Sequence, residues 1–206
     1  LNGDGEAEEF QTIGGGPPDG LCGSGLIDLL AELRGLGLMT EMGVFRNEPK
    51  LSTTTVVPDR GISLSRQDVS LLAQAKAANH AGQLIVLRTA GIRPADVDRL
   101  YLAGAFANYV NVENAVSIGL LAPVPEGRIR KVGNAALGGA RQVLLSQRVR
   151  SALDDFANEV QHIELEMTSD FFEVFVEGCQ FKPMVDQSPD GVSPYEVSDS
   201  HIEAPA

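Results

Sequence analysis

The 206-residue chain has no tryptophan, two cysteines, three histidines and three tyrosines. Cys22 and Cys179 stand far apart, with no CxxC pair and no Cys/His cluster. This argues against a zinc site or a cysteine-ligated iron–sulfur cluster built by this chain alone. One disulfide or two free thiols both remain open, the second being the plainer reading in a reducing cytosol. No apolar run of about 18 residues occurs, so no transmembrane helix is expected. The nearest stretch, 101–124, is interrupted by Asn108, Asn111, Glu113 and Asn114. The first residues are acidic and glycine-rich, unlike a signal peptide. Leu1 rather than Met opens the chain, which reads as a fragment or a processed piece. Walker A, GxSxG and HExxH motifs are missing, as is any internal repeat.

Basic residues are scarce: 16 Lys and Arg face 28 Asp and Glu, a formal net charge of −12. The deficit lies mainly at the ends. Residues 1–10 carry four acids and no base, and residues 186–206 carry five acids and no base. Elsewhere 19 acids meet 16 bases, a balance of −3. Nucleic-acid binding is disfavoured, because it needs a dominant basic face. A local phosphate site stays open. Six bases fall within 128–150 (Arg128, Arg130, Lys131, Arg141, Arg148 and Arg150), with no acid between Gly127 and Leu153. That run is either a solvated face or a patch for an acidic partner.

Hydrophobic residues make up 43% and charged residues 21%, the profile of a globular domain. A compact domain of this length buries roughly 70% of its unfolded surface. The pattern predicts a short strand over Phe10–Ile13 and a glycine/proline loop over 14–20. Leu26, Leu29, Leu30 and Leu33 predict a helix over 24–34 with Ser24 as N-cap. Residues 44–64 read as extended. Ser65 and Asp68 open the longest helix, over 66–90, about 37 Å of rise whose small residues admit a close neighbour. Strands are expected over 99–103, 129–132 and 161–166. Further helices are expected over 112–120, 135–145, 148–158 and 169–178. The alternation predicts an α/β layer architecture over 1–185. From Asp186 onward Pro, Ser and acids dominate, which reads as an acidic mobile tail over 186–206.

Three constellations carry candidate chemistry. Asp19-Gly20-Leu21-Cys22-Gly23-Ser24-Gly25 runs into a helix, where clustered amides and the Ser24 hydroxyl form either an anion site or a tight capped loop. Leu100–Ala103 followed by Gly104-Ala105-Phe106-Ala107-Asn108 is a strand end where a flat base could lie against the backbone, or simply a close-packed turn. Val132-Gly133-Asn134-Ala135-Ala136 reads mainly as close helix packing, with Asn134 as N-cap. His80 reads as a packed or surface histidine, and Cys22 as a buried inert thiol unless the helix terminus activates it.

Five segments occur in one order: 20–35 (GLCGSGLIDLLAELRG), 67–82 (QDVSLLAQAKAANHAG), 99–109 (RLYLAGAFANY), 118–121 (IGLL) and 132–140 (VGNAALGGA). Together they make the chain, over about residues 10–182, resemble the C-terminal region of the reductive activators of corrinoid proteins. The resemblance implies the C-terminal part of a layered, ribonuclease H-like lobe of the acetate and sugar kinase/Hsp70/actin superfamily. It implies an ATP-dependent activator that returns a Co(II) corrinoid protein to Co(I) for methyl transfer. It further implies a cytoplasmic homodimer, with Mg-ATP in a cleft and a [2Fe–2S] cluster on an N-terminal domain outside this chain. The implied nucleotide-binding residues are Gly23, Ser24, Gly25, Gly104, Ala105, Phe106 and Asn108. The chain departs from the family in having Ala105 and Ala107 where two glycines are usual, so a β-carbon could narrow the pocket or demand a different backbone. Two other readings compete. A small-molecule kinase of the same superfamily would need a catalytic carboxylate, for which Asp19 and Asp28 are the acids near a glycine loop. A binding or dimerisation module would need no nucleotide at all.

Overall fold

The computed structural model describes residues 1–46 and 53–185. The expected acidic tail, and part of the expected 44–64 extended stretch, lie outside them. The first helix is α1 (Gly23–Gly35). An antiparallel hairpin follows, β1 (Thr53–Val57) with β2 (Ile62–Ser65), its Thr/Val-rich run suited to a pleated surface. Then come α2 (Arg66–Thr89), β3 (Leu100–Ala103), α3 (Ala105–Tyr109), α4 (Val112–Ser117) and β4 (Ile129–Gly133). Strands β3 and β4 run parallel. The chain closes with α5 (Ala135–Leu145), α6 (Gln147–Ser151), α7 (Leu153–Glu159) and α8 (Phe171–Gly178).

Helix α2 organises the interior. Ser65 accepts from the Asp68 amide while the Asp68 side chain accepts from the Ser65 amide, the reciprocal cap its spacing predicts. Its first half packs Val69 and Ala73 among Ile27, Leu30 and Leu33 of α1, Val56 and Leu64 of the hairpin, and Ala115 and Ile118. Its second half packs Ala81 and Leu84 with Ala122, Val124, Ile129, Val174 and Met184. Helix α8 lies antiparallel against it. At one end Arg88 makes a bidentate pair with Asp170, at 2.7 and 2.9 Å. At the other, Gly178 comes so close that a β-carbon there would sit 3.1 Å from the Ala77 Cα. The small residues of α2 thus admit a close neighbour, as their clustering predicts.

The same junction buries two polar side chains. Lys76 is fully buried, and its ammonium donates to the Gly178 carbonyl and, at 2.8 Å, to the Gln180 carbonyl. The Gly178 carbonyl ends α8 and the Gln180 carbonyl lies just beyond it, so a cation there meets the negative end of the helix. His80 is 4% exposed, with Nδ1 3.1 Å from the Gly119 carbonyl. A carbonyl only accepts, so Nδ1 carries the proton. Burial holds the His80 pKa below its ordinary value. The histidine is packed and partnered, as expected.

Several boundaries differ from expectation. Residues 10–13 form no strand: Phe10 and Ile13 are exposed and no neighbouring strand pairs with them. Residues 161–166 alternate in polarity but are irregular, ending in a 3-10 turn over Leu165–Met167. Alternation describes a half-buried surface and supplies no hydrogen-bonding partner. The single helix expected over 148–158 divides at Ala152 into α6 and α7. The helix expected over 112–120 stops at Ser117, and that over 169–178 begins at Phe171.

Burial pushes the Lys76 pKa down from 10.5 to about 8. The unfolded chain keeps that proton up to the ordinary value, so between about pH 8 and 10.5 the unfolded state binds more protons. The Lys76 contribution to stability therefore rises with pH through that window. Urea unfolding midpoints at pH 7, 8.5 and 10 should show this rise, and Lys76→Met should remove it.

Candidate functional site

Parallel strands β3 and β4 deliver two of the candidate turns side by side. The register ends at Ala103 opposite Gly133, with an irregularity after Leu102. Beyond it, the Gly104 amide donates to the Gly133 carbonyl at 2.7 Å. Gly104 adopts φ +102° and ψ 163°, a conformation essentially confined to glycine. A β-carbon there would meet nothing within 4 Å, so the constraint is backbone geometry and the adjoining space is open.

Helix α3 starts directly after this turn and carries Phe106 and Asn108. The Lys131 ammonium of β4 donates to the Val110 carbonyl at 2.7 Å and to the Asn108 carbonyl at 3.2 Å, pinning the end of α3. The Asn108 amide nitrogen lies 4.0 Å from the position of a Gly133 β-carbon. Ala105 and Ala107 both lie within α3, so their β-carbons demand no unusual backbone. Ala107 is buried, whereas Ala105 is exposed.

The glycine loop before α1 joins this pair. A β-carbon on Gly23 would sit 3.0 Å from Cε2 of Phe106, so glycine lets the start of α1 lie on the aromatic ring. Ser24 is not the N-cap as expected. Cys22 takes that role: its Sγ accepts from the Gly25 amide at 3.4 Å and lies 3.4 Å from the Ser24 hydroxyl. Nor is Cys22 buried; it is exposed and free, because the loop preceding α1 runs over the surface. The Ser24 hydroxyl, then the Gly25 amide, hold its thiol below the ordinary value. Sequence reasoning weighed activation of the thiol by the helix terminus but assigned the cap to Ser24, because sulfur is a rare cap.

One cross-link had no sequence signal. Asn114 of α4 donates from Nδ2 to Oδ1 of Asp28 on α1 at 2.8 Å. The two residues are 86 positions apart, and only folding brings them together. Of the candidate residues, Gly23 meets Phe106 across the two motifs, while Asn108 lies beside Gly133 and the space at Gly104 is open. Asp19 is exposed, and the Asp28 carboxylate is engaged by Asn114. Among the described residues no group of three His, Cys, Asp or Glu side chains gathers to hold a metal. No described helix is long and apolar enough to cross a membrane.

Over most of its length the chain is similar to known proteins. The family model described as the C-terminal domain of RACo, the ASKHA domain, matches residues 1–190. The chain is 30% identical over 194 residues to the corrinoid activation enzyme RamQ of Eubacterium limosum, covering 84% of this chain and 33% of that protein. It is 30% identical over 136 residues to a [Co(II) methylated amine-specific corrinoid protein] reductase of Methanosarcina barkeri, covering 66% of this chain and 23% of that protein. A solved reductive activator for corrinoid, iron–sulfur protein superposes with a TM-score of 0.74 at 31% identity, over 86% of this chain and 31% of that one. The chain spans a third or less of the length of each of these relatives.

Two outcomes test the local geometry. Gly104→Ala should lower the unfolding free energy by about 1–3 kcal/mol through backbone strain alone, read from urea denaturation. Brief alkylation with iodoacetamide at pH 7.5, followed by peptide mass spectrometry, should label Cys22 faster than half-buried Cys179, and Ser24→Ala should slow the Cys22 reaction.

Proposed function

The chain belongs to the family of RACo C-terminal ASKHA domains, and from that premise we propose that it is the nucleotide-binding C-terminal part of an ATP-dependent activator of corrinoid proteins. The observation that carries the proposal is the meeting of Gly23 with Phe106, which closes the glycine loop of α1 onto the turn after β3. Helix N-termini, exposed amides and a glycine corner at the carboxyl ends of parallel strands are the groups that receive phosphates and bases. Gly23, Ser24 and Gly25 would face the phosphate side, and Gly104, Ala105, Phe106 and Asn108 the base side. The open space at Gly104 fits a ligand lying against the backbone.

The parent protein's reaction is a one-electron reduction. A [2Fe–2S] cluster on the parent protein would supply the one electron that takes cobalt in a corrinoid protein from Co(II) to Co(I). The two cysteines of this chain do not fit such a cluster: Cys22 is exposed, Cys179 is half-buried, and among the described residues neither belongs to a ligand group. The family resemblance implies a cluster on an N-terminal domain outside this chain. Nucleotide can drive an uphill reduction only by binding one conformation of the activator better than another. The role of these residues is to hold the nucleotide, with Mg, between lobes that close on it. The parent is read as a cytoplasmic homodimer acting on a corrinoid protein, without nucleic acid or membrane as partner. A kinase reading is weaker, because the half-buried Asp28 already accepts from Asn114.

Adding Mg-ATP or ADP should raise the melting temperature of the protein, and Gly23→Val should abolish the rise. Isothermal titration should detect binding of a Co(II) corrinoid protein. Absence of any nucleotide-dependent shift would remove the nucleotide role, and absence of corrinoid-protein binding would remove the docking role.

A further inference from the structure

Two of the contacts that helix α1 makes with α3 and α4 bear on the corner. One is the Gly23–Phe106 contact at the proposed nucleotide corner. The other is the Asn114–Asp28 hydrogen bond, 2.8 Å long and half-buried, five residues further along α1. Five residues is about 7.5 Å of helix rise, so the polar contact lies about one and a half turns behind the glycine corner. It is also a charge-assisted bond, an amide donating to a carboxylate. Neither partner is needed to keep the helices in place. Ala115 and Ile118, which flank Asn114, are fully buried, as are Ile27 and Leu30 around Asp28. The apolar core holds α1 against α4 through contacts that are individually non-directional. The hydrogen bond adds a contact with a preferred distance and angle.

We infer that Asp28 and Asn114 are a positioning pair that fixes the rotation of α1 against α3–α4, and thereby the separation of Gly23 and Phe106 at the nucleotide corner. The inference rests on the nucleotide reading for its consequence in binding and on the structure alone for its consequence in order. Asn114 is itself held: its amide donates to the Asn111 side chain at 3.1 Å, and its carbonyl accepts from the Ser117 hydroxyl at 2.9 Å. The donor therefore comes from a fixed turn, and the acceptor on α1 is the element whose orientation the bond sets.

Asp28→Ala, Asn114→Ala and the double variant should each weaken ADP binding about tenfold by isothermal titration, the double no more than the singles. Asp28→Asn retains an acceptor oxygen and should bind within about threefold of the parent protein. Melting temperatures should fall only slightly. A purely structural pair would instead lower stability and leave the affinity of the folded protein unchanged. Amide hydrogen exchange without nucleotide supplies a second measurement: the alanine variants should exchange faster over 23–27 and 104–109 and not over the core of α2. Unchanged exchange at both segments would overturn the inference whatever the nucleotide result. If the parent protein itself binds no nucleotide while exchange responds as expected, the nucleotide reading fails and the positioning role stands.

Discussion

The architecture depends on how α2 is received by the segment that follows it. A helix lined with alanine makes little apolar contact per residue, so it must be approached closely to be held. Gly178 supplies that approach at Ala77, and the carbonyls of Gly178 and Gln180 take the Lys76 ammonium that the same approach buries. His80 does the equivalent for the Gly119 carbonyl one turn on. Each buried polar group has a partner, so the junction retains its directionality without an orphaned donor. Arg88 and Asp170 close the far end. Because α2 enters both apolar clusters, this junction also joins them.

On that support the second half of the chain presents a corner rather than a deep cavity. Two parallel strands end level with each other, and each is followed by a glycine turn and a helix. The third wall comes from α1, whose first residue lies against an aromatic ring on α3. Polar contacts hold the walls from behind: Lys131 at the end of α3, and Asn114 with Asp28 between α4 and α1. Exposed glycine turns in front of fixed hydrogen bonds are an arrangement suited to ligand binding on a rigid scaffold.

Helix α5 stands apart from this economy. None of its residues is buried, although Leu137, Leu144 and Leu145 are large and apolar, and the same holds for α6 and α7. The basic run across Arg128–Arg150 is likewise exposed or half-buried rather than matched by acids in its own segment. The chain spans a third or less of the length of its relatives.

What the sequence by itself determined is local: the α2 cap at Ser65 and Asp68, the span of α5, and the β-branched run of β1 each follow from interactions within a few residues. The order of five sequence segments also pointed to the family. Tertiary structure decided what needs distant partners. Residues 161–166 have a strand's alternation and no neighbour to pair with, so they are not a strand. Cys22 rather than Ser24 caps α1, because capping depends on where the chain turns into the helix. The pairing of Asp28 with Asn114 spans 86 positions, and no local preference encodes a contact that exists only once two helices have packed.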